Sequence, residues 1–122
     1  MAEVYFFDTY ALFEIIEGSK DYAKYVNANL ILSKLNLFEL YYGLLKNLDE
    51  KTALLMLNKY SEFAIDFDKS IIEHAAKFRL LHKKSKLSMT DCIGYTLARS
   101  LGIRFLTGDK EFENMPEVEF VK

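Results

Sequence analysis

The 122-residue sequence predicts an α/β fold in which a mainly parallel sheet is sandwiched between helices. Two observations carry that prediction. Short apolar runs with β-branched or aromatic members alternate with longer stretches whose apolar residues fall at helical spacing. The short runs also lack a polar face, as strands covered on both sides require.

The elements follow in order. Val4–Phe7 predicts the first strand, and Leu12, Ile15 and Ile16 mark the helix after it. Residues 30–32 predict a second strand, followed by a helix carrying Leu37, Leu40, Tyr41, Leu44 and Leu45, then another carrying Leu54, Leu55 and Leu57. Residues 63–67 predict a third strand, before a helix marked by Ile71, Ile72, Ala75, Phe78 and Leu81. Ile93, Leu97 and Leu101 define the last long helix, with Ser88 as its N-cap and Gly102 as the glycine just past its end. Residues 103–106 and 118–121 complete the sheet. Phe38, Tyr41, Tyr42 and Tyr60 sit at helical spacing and are assigned to the core, the alternative being an interface groove.

No repeat or linker interrupts the chain, and the only proline, Pro116, falls near its end, so a single domain over 1–122 is expected. A formal charge of -2 excludes a generally basic nucleic-acid binder, although a local basic patch stays open. Cys92 is the only cysteine, so no internal disulfide can form. The start, MAEVYFFD, lacks the features of a signal peptide, and no apolar run approaches the roughly 20 residues of a membrane span. A soluble, cytoplasmic protein is expected.

Function is written in the acidic residues. In open parallel sheets, ligands bind outside the carboxyl ends of the strands. Asp8 ends the first strand, and Asp109 follows the strand at 103–106. Glu39 lies in the first turns of the helix after the second strand, and Asp91 in the first turn of the helix that starts at Ser88. All four are predicted to meet at one rim. Each taken singly has a structural account, with Asp8 and Asp109 as N-caps, Asp91 as the capping-box partner of Ser88, and Glu39 as that of Asn36. Together they are different, because four carboxylates at one rim repel one another and destabilise the fold unless a cation sits among them. Without Cys or His at matching positions, the donors suit Mg²⁺ or Mn²⁺ rather than zinc. Metal-assisted phosphodiester hydrolysis is the chemistry that such a site supports.

These residues resemble those of the PIN-domain nucleases, and in particular the VapC-type toxins of prokaryotic toxin–antitoxin pairs. The resemblance spans the chain: FFDTYAL at the first strand, NLFELYYGL with Glu39, LSMTDCIGYTLARSLG with Asp91, and FLTGDKEF with Asp109. It implies a PIN-like three-layer α/β/α sandwich and a metal site of Asp8, Glu39, Asp91 and Asp109, with Asp8 and Asp91 as the direct ligands and Thr107 as an auxiliary. It further implies a metal-dependent endoribonuclease acting on RNA, a homodimer, and a cognate antitoxin as partner.

Other features bear on that reading. Arg79, Lys83, Lys84 and Lys86, just before Asp91, either hold RNA phosphates or complement the carboxyl end of a helix. His74 and His82 stand too far apart to share an ion. Cys92 reads as a small buried hydrophobe. The competing reading of the whole chain is a non-catalytic PIN-like binding module whose acidic rim holds no metal. Phosphotransfer onto Asp8 fits less well, because dehalogenase-type phosphatases place a second Asp where this chain has Tyr10.

Overall fold

The computed structural model describes residues 3–122; Met1 and Ala2, the first positions of the predicted domain and of the start lacking signal-peptide features, lie outside the described residues. The elements are β1 (Val4–Phe7), α1 (Thr9–Glu17), a 3₁₀ helix (Lys20–Tyr25), β2 (Asn29–Ser33), α2 (Lys34–Asn47), α3 (Glu50–Ser61) and β3 (Ala64–Ile65). The chain continues with α4 (Lys69–Leu81), α5 (Met89–Leu101), β4 (Arg104–Thr107), a 3₁₀ turn (Lys110–Phe112) and β5 (Val118–Phe120). The strands form one sheet in the order β3-β2-β1-β4-β5, and every pairing is parallel.

The apolar runs explain the layers. In β1, Tyr5 and Phe7 point to one face of the sheet and Phe6 to the other, as the two-residue period of a strand dictates. Leu32 and Leu106 join the first face, where α1, α2 and α3 supply Leu12, Leu40 and Ala53. Phe105 joins Phe6 on the second face, against Ala75 of α4 and Cys92, Ile93, Leu97 and Ala98 of α5. Two cores flank the sheet, which makes the three-layer α/β/α sandwich. Gly94 allows α5 to approach closely, since a β-carbon there would lie 2.9 Å from the Phe6 ring and 3.2 Å from that of Phe105.

Several boundaries differ from expectation for visible reasons. Ile103 is not in β4: its N–H bonds Ala98 O and closes the α5 terminus at Gly102, whose φ is 69°. β4 therefore begins at Arg104, which pairs with Glu119 of β5, and runs on through Thr107. β3 keeps only two residues of the expected 63–67, because as the edge strand it pairs with β2 at Leu32↔Ala64 and Ser33↔Ile65 alone. The 3₁₀ helix at Lys20–Tyr25 was not foreseen, being short and mixed in polarity. Its Tyr22 and Tyr25 are buried, and their hydroxyls donate to Val121 O and the Glu119 carboxylate.

The four aromatics assigned to the core divide. Tyr60 is buried and Tyr41 packs against the core, but Phe38 and Tyr42 are 74% and 59% exposed. The 3.6-residue period puts Phe38 and Tyr42 on the outer face of α2, one turn apart, while Leu37, Leu40 and Leu44 face inward. No helix of the described residues is long and apolar enough to cross a membrane.

Candidate active site

The site begins where β1 ends. Asp8 is extended and caps α1, its Oδ1 accepting the Thr9 N–H at 2.9 Å. Its Oδ2 accepts the Thr107 hydroxyl at 2.6 Å, and Thr107 in turn accepts the Asp109 N–H at 3.1 Å. Both Asp8 and Thr107 are buried. β1 and β4 are neighbours in register, so the carboxyl ends of the two strands are tied across 99 residues of sequence by one hydroxyl.

A second chain of bonds fixes Glu39. The Thr9 hydroxyl donates to Glu39 Oε1 at 2.6 Å and accepts from Asn36 Nδ2 at 3.0 Å. Because the amide donates, the only hydroxyl proton of Thr9 must point at Glu39. Asn36 is itself held by Ser33, whose N–H and Oγ both donate to Asn36 Oδ1, at 3.0 and 2.8 Å. Ser33, not Asn36, is thus the N-cap of α2; Asn36 is its capping-box partner, and Glu39 lies a turn further on, outside the cap. Ser33 takes the role because it ends β2 in the extended conformation that an N-cap needs. Sequence reasoning assigned no role to Thr9, and Asn36 only a capping one. The available signals were a hydroxyl next to Asp8 and an amide one helical turn before Glu39.

Asp91 and Asp109 occupy the rest of the rim. Asp91 completes a capping box with Ser88: its Oδ2 accepts the Ser88 N–H at 2.9 Å, and its own N–H donates to Ser88 Oγ at 3.1 Å. Asp109 caps the Lys110–Phe112 turn, its Oδ1 accepting the Glu111 N–H at 3.0 Å. The capping roles foreseen for Asp8, Asp91 and Asp109 are all present. They leave capacity to spare, since Glu39 Oε2 and Asp109 Oδ2 accept no hydrogen bond among the described residues.

The electrostatics show these groups sensing one another. Burial, then the Asp91 charge, pushes Asp8 up to about 8; Glu39 adds to the rise, and the bonds from Thr107 and Thr9 oppose it. Asp91 is raised by burial and by the charges of Asp109 and Glu39, against the hydrogen bonds from Ser88. Burial and the Asp91 charge also push the Cys92 thiol up to about 11, consistent with an inert, buried side chain. Among the described residues no group of three or more His, Cys, Asp or Glu side chains is drawn together closely enough to enclose a metal ion by itself.

The basic stretch separates into parts. Arg79 donates to His82 O at the end of α4, the helix-end role. Lys83 and Lys84 are exposed in the turn that follows. Lys86 lines a cleft with Asp109, and its N–H donates to Glu111 Oε1 at 2.6 Å.

The fold has counterparts among known proteins. The fold is similar to chains in a toxin–antitoxin complex from Klebsiella pneumoniae (24% identity, 93% of this chain and 94% of that one, TM-score 0.72). It is also similar to DNA-bound VapBC from Salmonella typhimurium (23%, 98% and 97%, 0.73) and to VapBC2 from Rickettsia felis bound to a fragment of its promoter (21%, 94% and 95%, 0.71). No curated protein matches the sequence. The PIN domain family model matches residues 5–118, nearly the whole chain, and the protein belongs to the PIN domain family.

Proposed function

We propose that the protein is a divalent-metal-dependent endoribonuclease and the toxin of a VapBC-type pair. The observation that carries this reading is the Asp8 carboxylate at the sheet rim, raised by burial and then by the charges of Asp91 and Glu39. A folded protein that keeps so costly a group there gains most when a cation relieves it. The donors are all oxygen, and an ion that binds through one or two carboxylates and keeps several waters needs no closed group of three. Asp8 and Asp91 hold Mg²⁺ or Mn²⁺ in this reading. The bound ion supplies an activated water and neutralises charge on the scissile phosphate.

The chain's own residues do the rest. Thr107 and the Thr9 N–H fix both oxygens of Asp8 in one orientation. Thr9, with Asn36 behind it, holds one oxygen of Glu39 and leaves the other to orient water. Asp109 does the same with its second oxygen, the first being held by the Glu111 N–H. The similar VapBC chains support a cognate antitoxin as partner, and the exposed Phe38, Tyr42 and Leu45 of α2 offer an apolar ridge to it or to a second copy.

The test compares RNA cleavage by the wild-type protein with Mn²⁺, the wild type with EDTA, and Asp8→Asn and Asp91→Asn with Mn²⁺. Cleavage is expected only in the first, and equal cleavage in all four overturns the reading. A non-catalytic PIN-like module is the alternative, and the absence of a closed three-carboxylate group among the described residues favours it. Thermal unfolding separates the two. Metal that binds only the folded state raises the midpoint, by the equivalent of about 2.7 kcal/mol at a hundredfold excess over its dissociation constant. A flat titration with both ions favours the module.

A further inference from the structure

A second feature opens beside Asp109, a cleft in which lysines outnumber carboxylates. The cleft there is lined by Tyr10, Lys86, Asp109, Lys110, Glu111 and Lys122, together with Gly108. Its three lysines come from three separate parts of the chain: the α4–α5 connection, the turn after β4, and the residue beyond β5 and Val121. None has a carboxylate partner, for the ion pairs among the described residues are Lys34–Asp66 and Arg104–Glu119. Lys110 and Lys122 even stand side chain to side chain, and a hydrogen bond with Lys110, then its like charge, lowers Lys122 despite the nearby Glu113. Glu111 is partly engaged, its carboxylate accepting the Lys86 N–H.

The cleft is built, not incidental. A β-carbon on Gly108 would lie 2.3 Å from the Tyr10 ring and 2.4 Å from Val121 O, so only glycine lets the ring and the C-terminal backbone close on the loop between Thr107 and Asp109. That closure brings Lys122 beside Lys110 and leaves Tyr10 half-exposed at the wall. An anion entering here meets Lys86, Lys110 and Lys122 in a lining that also holds Asp109 and Glu111.

From this geometry we infer that Lys86, Lys110 and Lys122 form a phosphate subsite that holds the RNA backbone next to the scissile bond. The inference rests on the nuclease reading and adds to it the element that an acidic rim lacks, a local attraction for a polyanion. It also explains how a chain with a formal charge of -2 engages RNA at all. Tyr10 offers a ring face on which a neighbouring base stacks.

The experiment measures binding of a fluorescent single-stranded RNA in EDTA, where cleavage is absent, across a salt series. It compares the wild type, a Lys86→Gln/Lys110→Gln/Lys122→Gln variant, and a control with Lys20→Gln, Lys46→Gln and Lys51→Gln. Each lysine that releases a counterion contributes about 0.7 to the slope of log affinity against log salt. The cleft variant should lose about 2 from that slope while keeping the wild-type circular dichroism, and the control should lose none. Wild-type binding with equal slopes in all three proteins overturns the subsite and leaves the nuclease reading intact. No binding by the wild type at low salt overturns both. The same cleft variant should keep the Mn²⁺-induced rise in melting temperature, and losing it together with RNA binding overturns a separate phosphate subsite.

Discussion

At the scale of single residues, the rim couples proton and fold. Asp8 sits at about 8 in the folded protein against an ordinary 3.8. A folded-state value above the unfolded one means that the native protein binds the proton more tightly, so this contribution to stability is complete below about pH 4 and is lost as pH rises towards 8. In EDTA, the urea midpoint of the wild type should therefore fall between pH 5 and 8 relative to that of Asp8→Asn, which has no proton to lose there. Parallel curves for the two proteins would remove Asp8 as the source. Thr107 gives a second prediction. Replacing it with valine keeps the volume but strands the Asp109 N–H and one Asp8 oxygen, both of which lose their hydroxyl partner. Unmade buried hydrogen bonds cost about 1–3 kcal/mol, measurable by urea unfolding, and Thr107→Ser should recover most of the loss.

At the scale of elements, the sequence was most readable where burial is two-sided. VYFF at Val4–Phe7 could be placed to the residue because a central strand tolerates no polar face. The end of α5 was legible too, since Gly102 adopts the positive φ that favours glycine. Ile103 was misplaced because an apolar residue after such a glycine serves a helix end as readily as a strand start. Ser33 and Asn36 both have capping chemistry, and only the conformation at the end of β2 decides between them. The capping roles of Asp8, Asp91 and Asp109 were legible, but the Asn36–Thr9–Glu39 relay was not, because it joins α2 to α1 across a contact that no local pattern encodes. Packing of α5 supplies a third prediction. Gly94→Ala gains about 1 kcal/mol of helix propensity, but its methyl meets the buried rings of Phe6 and Phe105. Overpacking costs about 1–3 kcal/mol, so the substitution should lower stability on balance. A higher urea midpoint in Gly94→Ala would show that the rings move aside freely.

At the scale of the molecule, the order of strands decides when the sheet can exist. The first strand made is the central one, and its neighbour β4 is the fourth. A chain ending at Leu101 lacks β4 and β5 and leaves one edge of β1 unpaired. Phe6 and Leu12 would then lose the cover that Phe105 and Leu106 provide on the two faces. Such a fragment should show no cooperative thermal transition by circular dichroism, and a sharp one would refute the dependence on β4.

The hydroxyl of Thr107 on Asp8 has a meaning in time as well as in space. Asp8 leaves the ribosome well before its partner Thr107, which is added 99 residues later, and before Asp109, whose N–H holds that hydroxyl. Until at least Asp109 has emerged, the rim is a pair of loose ends. The rim that this hydroxyl ties together is therefore completed late, only after the strand that carries Thr107 has been made and paired with β1.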